Sequence, residues 1–479
     1  MKYKLTIKMK TAIFIVGITL FKILYTMGLN VLTDEAYYFL WSEHLDFSYF
    51  DHPPMIAYLF ALIRFIFNNK ELVVHLVPIL LSAGTSIYVF LLGKELFNKK
   101  IAFQFVLLTN CTLIMFAGSI IATPDTPMIF FLTGATYYFY LATKKTKNIH
   151  WFLTGLFIGL ALISKYISVL IYVAFLLYLT LKENRKWLGT VKPYLSLFLS
   201  LIIFSPVILW NYFNGWVSFK FQLFHGLGGS FPNFAKFLEF LGGQAAIVTP
   251  LLFLLFLFAF IYVLIKWKKV TIEEKYLWII SAVFFIFFLI SSLQKKVEAN
   301  WPAFAYIPNS LLIIALYQQK WKRTNFIKGL WVANWIIMTG ILVLILIHIY
   351  LPFINIKGDP TDQFFGWDKL GSEVVRLANE NDGFKLSANR LQIASELTFY
   401  SDKMFVCFNI DSRPNQFSLW QKNNSFMGKN FLFFDKNKHL RKGIKNHFSH
   451  IELLKKIPRK RGEKILETFY VYKAKVQNN

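Results

Sequence analysis

Two acidic residues, Asp34 and Glu35, directly follow the first long apolar stretch of the chain. Tyr37 comes two residues later, and an aromatic run leads on to His52. A carboxylate that is partly desolvated by aromatic neighbours has a raised proton affinity, which suits it to act as a general base. Acidic pairs also occur as ordinary charges at the ends of apolar helices, so spacing alone does not choose between catalysis and a structural role.

Isolated polar groups interrupt the apolar sequence in four further segments. These carry Asp125, in a turn with two prolines; Lys165 with Tyr166; Lys295, Lys296 and Trp301; and His225, in a loop rich in glycine. A lysine between two short apolar helices needs an anionic partner, and two adjacent ammonium groups can stabilise charge that develops on a phosphate. Each group also has a structural interpretation: a helix N-cap for the aspartate, and anchoring at lipid headgroups for the lysines and the tryptophan.

The composition is that of a membrane protein. Of the 479 residues, 56% are hydrophobic and 19% aromatic, and the mean hydropathy is +0.47. These values predict a polytopic α-helical membrane protein. The formal net charge of +26 comes from basic tracts that flank apolar stretches, so we interpret the tracts as topology signals and expect no nucleic-acid partner. Cys111 and Cys407 lie too far apart to suggest a disulfide framework or a cysteine metal site.

Apolar stretches set the predicted number of membrane spans. About 20 residues are needed to cross a bilayer, and nine stretches come near that length: 11–32, 72–93, 101–121, 126–142, 193–213, 246–265, 276–293, 302–317 and 326–350. A further stretch, 151–181, is too long for one span and is interrupted at Ser164-Lys165-Tyr166. It is predicted to form two short helices, which brings the total to about eleven.

Basic residues fix the predicted sidedness, because cytoplasmic loops are rich in lysine and arginine. With the N-terminus in the cytoplasm, eleven spans place the most basic short tracts inside and all five polar segments outside. Residues 1–356 are then the membrane domain, with a first outer loop at 33–71. Residues 357–479 have mixed polar composition and alternating helix and strand patterns, which predict a small extracytoplasmic α/β domain. The expected location is the cell (inner) membrane.

Several motifs together resemble one family. The first outer loop reads LTDEAYYFLWSEHLDFSYFDHPPMIAYL, and ATPDTPMIFF, LISKYISVL, FQLFHGLGG and KKVEANWPAFAY follow in order. This series resembles the bacterial branch of the protein O-mannosyltransferase and aminoarabinose transferase family, which are GT-C glycosyltransferases. The resemblance implies a membrane bundle with interfacial helices in the first outer loop, and a sugar donor linked to polyprenyl phosphate.

The resemblance also implies roles for individual residues. Asp34 would take the proton from the acceptor hydroxyl as general base, and Glu35 would orient Asp34 or the acceptor. Acceptor or sugar would bind at Tyr37, His52, Asp125 and His225. The donor phosphate, which is also the leaving group, would be held by Lys165, Tyr166, Lys295, Lys296 and Trp301. Attack opposite the leaving phosphate would invert the anomeric centre.

The metal requirement stays open at this point. Some relatives bind a divalent metal near the donor through a carboxylate and a histidine. Glu35, His52 and His225 are available for that purpose, but the sequence contains no metal-ligand spacing.

Sugar, acceptor and even protein class leave alternatives. A basic outer domain suits a phosphorylated acceptor, which gives a slight preference for lipid A or lipopolysaccharide over a protein acceptor. The same charge would also suit anionic lipid headgroups. A transporter or flippase would have paired halves with broken helices at matching positions, whereas the sequence shows one broken pair without a counterpart. A receptor without catalytic activity would give no reason for the aspartates and lysines to share one face.

Overall fold

The structure is a computed structural model that describes residues 5–145, 147–227, 232–410, 412–421 and 426–477, without the side chains of 224–227. Contacts divide the chain into two units. The helical unit comprises Met1–Leu24, His52–Ile56 and Leu76–Ile347, and the sheet unit comprises Tyr25–Asp51, Ala57–His75 and His348–Asn479. The predicted domain boundary at residue 357 stays a prediction.

Among the described residues up to 350, every regular element is a helix. Its α-helices are α1 (Ile7–Thr26), α2 (Thr33–Glu43), α3 (Met55–Arg64), α4 (Lys70–Leu96), α5 (Lys99–Cys111), α6 (Leu113–Ala117), α7 (Asp125–Lys145), α8 (Asn148–Leu162), α9 (Leu170–Thr180), α10 (Lys192–Phe213), α11 (Val217–Leu227), α12 (Phe234–Val248), α13 (Pro250–Ile265), α14 (Ile272–Ser292), α15 (Tyr306–Leu316) and α16 (Asn325–Tyr350). Aromatic side chains pack the interior of the helical unit: Phe139 of α7 stacks on Phe175 of α9 with ring centroids 3.7 Å apart.

Several helices have the length and apolarity of membrane spans. Within the described residues these are α4, α10, α14 and α16, and α12 with α13 would make a fifth span if the two count as one. The prediction of a helical, multi-pass membrane protein is confirmed, whereas the number of eleven spans and the sidedness stay predictions. One predicted span, 101–121, is interrupted at Thr112, where α5 ends and α6 begins.

The long apolar stretch 151–181 is broken where the sequence predicted. Helix α8 ends at Leu162, a 3-10 turn spans Tyr166–Val169, and α9 begins at Leu170. Lys165 has an extended backbone at this break. A second break, which the sequence analysis missed, lies at Thr249, where α12 and α13 meet at 110°. Pro250 follows, and a residue before proline is pushed out of the helical conformation.

The segment predicted as the first outer loop contains two helices. Helix α3 (Met55–Arg64) is apolar and follows Pro53-Pro54. The resemblance implied helices in this loop, but no residue pattern located α2. Its first turn carries Asp34 and Glu35, and negative charge at this end is favoured by the helix dipole.

The C-terminal part of the sheet unit contains the predicted small α/β fold. Its elements are α17 (Trp367–Glu380), β1 (Lys385–Ala388), α18 (Leu391–Ser401), β2 (Val406–Cys407), α19 (Gln416–Trp420), β3 (Asn430–Asp435), α20 (Lys442–His447), β4 (Phe448–Arg461) and β5 (Lys464–Val476). The strand order is β2-β1-β3-β5-β4, with β1 parallel to β2 and β3, and β5 antiparallel to β3 and β4. Phe431, Phe433, Phe448 and Tyr472 belong to its buried core.

Candidate active site

Asp34 lies in the first turn of α2, and its position is set by the packing of that helix. The opposite side of α2 is buried, and Phe39 meets Phe399 of α18 edge-on at 5.0 Å between ring centroids. Asp34 itself is exposed, and within the described part of the chain its carboxylate accepts no hydrogen bond. A carboxylate so placed is open to an incoming hydroxyl group.

The surroundings of Asp34 favour its protonated form. Partial desolvation raises the pKa of Asp34 above its usual value, and the negative charge of Asp51 raises it further. The guanidinium group of Arg413 acts in the opposite direction. A carboxylate with raised proton affinity is a better general base near neutral pH.

Glu35 has a structural task in the same turn. Its side chain is fully buried, and Oε2 accepts a hydrogen bond from the backbone N–H of Leu32 at 2.7 Å. Such a bond satisfies one of the donors that a helix leaves unpaired at its N-terminus. Glu35 therefore holds the start of α2, which bears Asp34.

Tyr37, Asp51 and Arg413 form a connected polar cluster beside Asp34. The Tyr37 hydroxyl donates to Asp51 Oδ2 at 2.6 Å and accepts from the backbone N–H of Gln416 at 2.8 Å. Arg413 Nη1 donates to Asp51 Oδ1 at 2.7 Å. Burial and the charge of Asp51 hold the pKa of Tyr37 well above its usual value, so the hydroxyl remains a donor. Asp51 lies within the first-loop motif, but no role was predicted from the sequence for Asp51, Arg413 or Gln416.

A second charged group of the predicted set lies in the helical unit. Lys165 Nζ donates to Asp125 Oδ1 at 2.7 Å, and their side chains are only 13% and 11% exposed. Asn300 Nδ2 donates to the other carboxylate oxygen at 3.1 Å. The structure thus brings two predicted site residues together and identifies the anionic partner that Lys165 needs. Asn300, which the sequence analysis did not single out, completes the group.

Tyr166 and His52 both contact the segment that follows α10. The Tyr166 hydroxyl lies 2.8 Å from Ser218 Oγ and accepts from Asn211 Nδ2 at 3.4 Å. His52 Nδ1 lies 3.4 Å from Gln222 Nε2 of α11. The side chain of His225, on the same helix, lies outside the described residues, and its predicted role stays a prediction.

The two predicted lysines of the last outer loop differ in environment. Lys296 pairs with Glu298 at 3.3 Å on the surface, where such pairs contribute little. Burial lowers the pKa of Lys295, and the positive charge of Lys236 lowers it further. Trp301 packs on Phe288 at 6.1 Å between ring centroids. The like charges of Lys295 and Lys236 interact unfavourably, and a bound anion would stabilise both.

A cavity of about 210 Å³ lies within the helical unit beside Asp125 and Asn300. Its polar lining also includes Asn110. Asn110 Oδ1 accepts from the buried Lys22 Nζ at 3.2 Å. Polar groups of this kind are costly within an apolar bundle and mark the cavity as a candidate for ligand binding.

The residues considered as metal ligands do not form a recognisable site. Among the described residues, no group of three histidine, cysteine, aspartate or glutamate side chains is placed to hold a metal ion. The metal requirement therefore stays open. The prediction that all five polar segments share one face of the membrane also stays a prediction.

Comparisons with known proteins find similarity to glycosyltransferases. The family model described as dolichyl-phosphate-mannose-protein mannosyltransferase matches residues 51–210. A lipid A galacturonosyltransferase of Rhizobium johnstonii, RgtD, is 24% identical over 321 residues, which are 64% of this chain and 66% of that protein. The chain thus spans just under two thirds of the length of this curated relative.

Solved structures of ArnT from Cupriavidus metallidurans share the fold. The apo structure matches with a TM-score of 0.67 and 12% identity over 98% of both chains. The structure bound to undecaprenyl phosphate matches with a TM-score of 0.64 and 12% identity, over 96% of this chain and 97% of that one. At such identity these two matches show the fold alone. With the family and sequence matches, they support the resemblance of this chain to GT-C membrane glycosyltransferases.

Proposed function

We propose that this protein transfers a sugar from a polyprenyl-phosphate-linked donor to an extracytoplasmic acceptor, lipid A or lipopolysaccharide, with inversion at the anomeric carbon. The observation that carries the proposal is the Asp34 carboxylate, which is open to solvent and has a raised pKa. Asp34 removes the proton from an acceptor hydroxyl while that oxygen bonds to the anomeric carbon. The bond from this carbon to the phosphate oxygen breaks, and polyprenyl phosphate leaves with the electron pair.

The other predicted residues bind or position in this proposal. Glu35 positions Asp34, because it holds the first turn of α2. Tyr37, His52, Asp125 and His225 are assigned to acceptor or sugar binding. Lys165, Tyr166, Lys295, Lys296 and Trp301 are assigned to the donor phosphate. A leaving phosphate needs electrostatic stabilisation rather than a strong general acid, and lysine ammonium groups supply it.

The comparisons favour a lipid acceptor. RgtD is named as a lipid A galacturonosyltransferase, and one ArnT structure holds undecaprenyl phosphate. The matched family model is described as a protein mannosyltransferase, so protein O-glycosylation is the second candidate. The similarity to named glycosyltransferases supports an enzyme over a transporter or flippase. We further propose an inner-membrane location, a cytoplasmic N-terminus and an extracytoplasmic domain at 357–479.

Substitution of Asp34 by asparagine tests the proposal. The variant keeps the shape of the side chain but cannot accept a proton, so turnover should fall by roughly two to four orders of magnitude. Donor binding should persist. Asp46→Asn is the matched control, because Asp46 is an exposed aspartate of the same loop whose Oδ1 accepts a local bond from Phe47 N–H.

The measurement is mass spectrometry of lipid A and of total glycoprotein from cells that lack the chain and express each form. We expect lipid A modification with the wild type and Asp46→Asn, and none with Asp34→Asn. Turnover by Asp34→Asn within tenfold of the wild type would refute the role of the base. Unchanged lipid A together with loss of a protein glycan would favour the second candidate.

A further inference from the structure

We propose that Arg413 is a positioning residue of this reaction, which neutralises Asp51 and so fixes the electrostatic environment in which Asp34 takes up the acceptor proton. The inference rests on the proposed function, because it gives Asp34 the role of general base. It assigns a reaction-related role to the C-terminal part of the chain, which the sequence analysis treated as a separate soluble domain.

The buried carboxylate of Asp51 requires a neighbouring positive charge. Its side chain is only 6% exposed, and both carboxylate oxygens are engaged, one by Tyr37 and one by Arg413. Tyr37 is neutral, so the positive charge in this cluster comes from Arg413. A buried carboxylate without a compensating charge is unfavourable. Without Arg413, less positive charge would offset the effect of Asp51 on Asp34.

The segment that carries Arg413 is firmly held. Asn415 caps the N-terminus of α19, and its side chain accepts from the N–H of Phe417 at 3.0 Å. Gln416 donates its backbone N–H to Tyr37 at 2.8 Å and accepts from the N–H of Phe50 through Oε1, also at 2.8 Å. Phe417 stacks on Tyr37 with ring centroids 6.1 Å apart. These contacts fix the register between Arg413 and Asp51, which lie 362 residues apart in sequence.

The Arg413 side chain is half exposed and can change its conformation when a ligand binds, whereas Asp51 is buried. Within the described part of the chain, charged and titratable groups from four elements face this cluster. Asp34, Glu35 and Tyr37 come from α2, Asp51 from the loop that follows, Arg413 from the segment before α19, and Glu396 from α18, close enough to Glu35 for their charges to interact. Asp51 and Arg413 are the two charges with opposite effects on Asp34.

The test is the pH profile of kcat/KM with purified full-length protein and a polyprenyl-phosphate sugar donor. Arg413→Gln should move the acid limb of the profile to higher pH by about one unit, because a base with a higher pKa is protonated over more of the range. Activity at alkaline pH should approach that of the wild type. Asp51→Asn should move the limb in the opposite direction, and the double variant should lie near the wild type.

Arg441→Gln is the matched control. It removes the same charge from an exposed arginine of the C-terminal region and should leave the limb in place. Arg413→Lys retains the charge and should move the limb less than Arg413→Gln, which keeps the test valid if the glutamine variant folds poorly.

Two outcomes distinguish an incorrect role for Arg413 from an incorrect proposed function. An equal loss of kcat/KM at every pH in Arg413→Gln and Asp51→Asn, with no movement of the limb, would leave Arg413 with a purely structural role and overturn the inference. The proposed function would still stand if Asp34→Asn had lost turnover in the same assay. Full turnover by Asp34→Asn would instead refute the proposed function itself.

Discussion

Replacement of Lys165 by methionine tests whether the ion pair with Asp125 holds the helical unit together. The pair is close, with Nζ and Oδ1 2.7 Å apart, and both side chains are almost buried. Loss of Lys165 leaves the Asp125 carboxylate with the neutral Asn300 amide as a hydrogen-bond donor. Loss of one partner from a buried pair costs about 3–5 kcal/mol, and the residual exposure of this pair places it near the lower end. Lys165→Met should therefore lower the free energy of unfolding by about 3 kcal/mol.

A double-mutant cycle separates the pair from the two residues taken singly. Asp125→Asn with Lys165→Met removes both charges, so it should cost less than the sum of the single changes, by about 1–3 kcal/mol. Thermal unfolding in detergent, without donor lipid, ranks the four forms. Lys145→Met is the control, because Lys145 pairs with Glu95 at 2.9 Å in the same unit but is 47% exposed. It should change stability by less than about 0.5 kcal/mol. Additive single changes would refute the coupling.

Two further predictions concern the sheet unit. Burial holds the pKa of Glu396 well above its usual value. Above the usual glutamate pKa, the folded protein therefore keeps a proton that the unfolded chain releases. The contribution of Glu396 to stability falls as pH rises through this range. Glu396→Gln should remove this pH dependence of stability, so the variant should melt at a higher temperature than the wild type at pH 9 but not at pH 4. An equal difference in melting temperature between the two proteins at both pH values would refute the prediction. Tyr37→Phe deprives buried Asp51 of its 2.6 Å hydrogen bond and should lower the free energy of unfolding by about 1–3 kcal/mol in chemical denaturation, whereas an unchanged midpoint would contradict the assigned bond.

Local sequence patterns predicted the elements that are themselves strongly apolar or strongly interrupted. The break between α8 and α9 was predicted because the apolar stretch 151–181 is too long for one span and is interrupted at Ser164-Lys165-Tyr166. Strand β3, with the sequence NFLFFD, was visible through its apolar run. Strand β4 was missed because FSHIELLKKIPRKR is rich in basic residues and lacks a regular apolar alternation. It forms at the edge of the sheet through pairing with β5, an interaction that its own sequence does not reveal.

The pairing of charges was the part that the sequence could not supply. Costly polar groups can be recognised one by one, but Lys165 could have paired with any outer carboxylate, and nothing near Asp51 in sequence points to Arg413. The choice of Asp125 changes the interpretation of both residues. Asp125 compensates the positive charge of Lys165, so a donor phosphate that binds Lys165 must weaken this ion pair. The proposed donor role of Lys165 and the proposed acceptor role of Asp125 are therefore coupled, and occupancy of one site changes the charge available at the other.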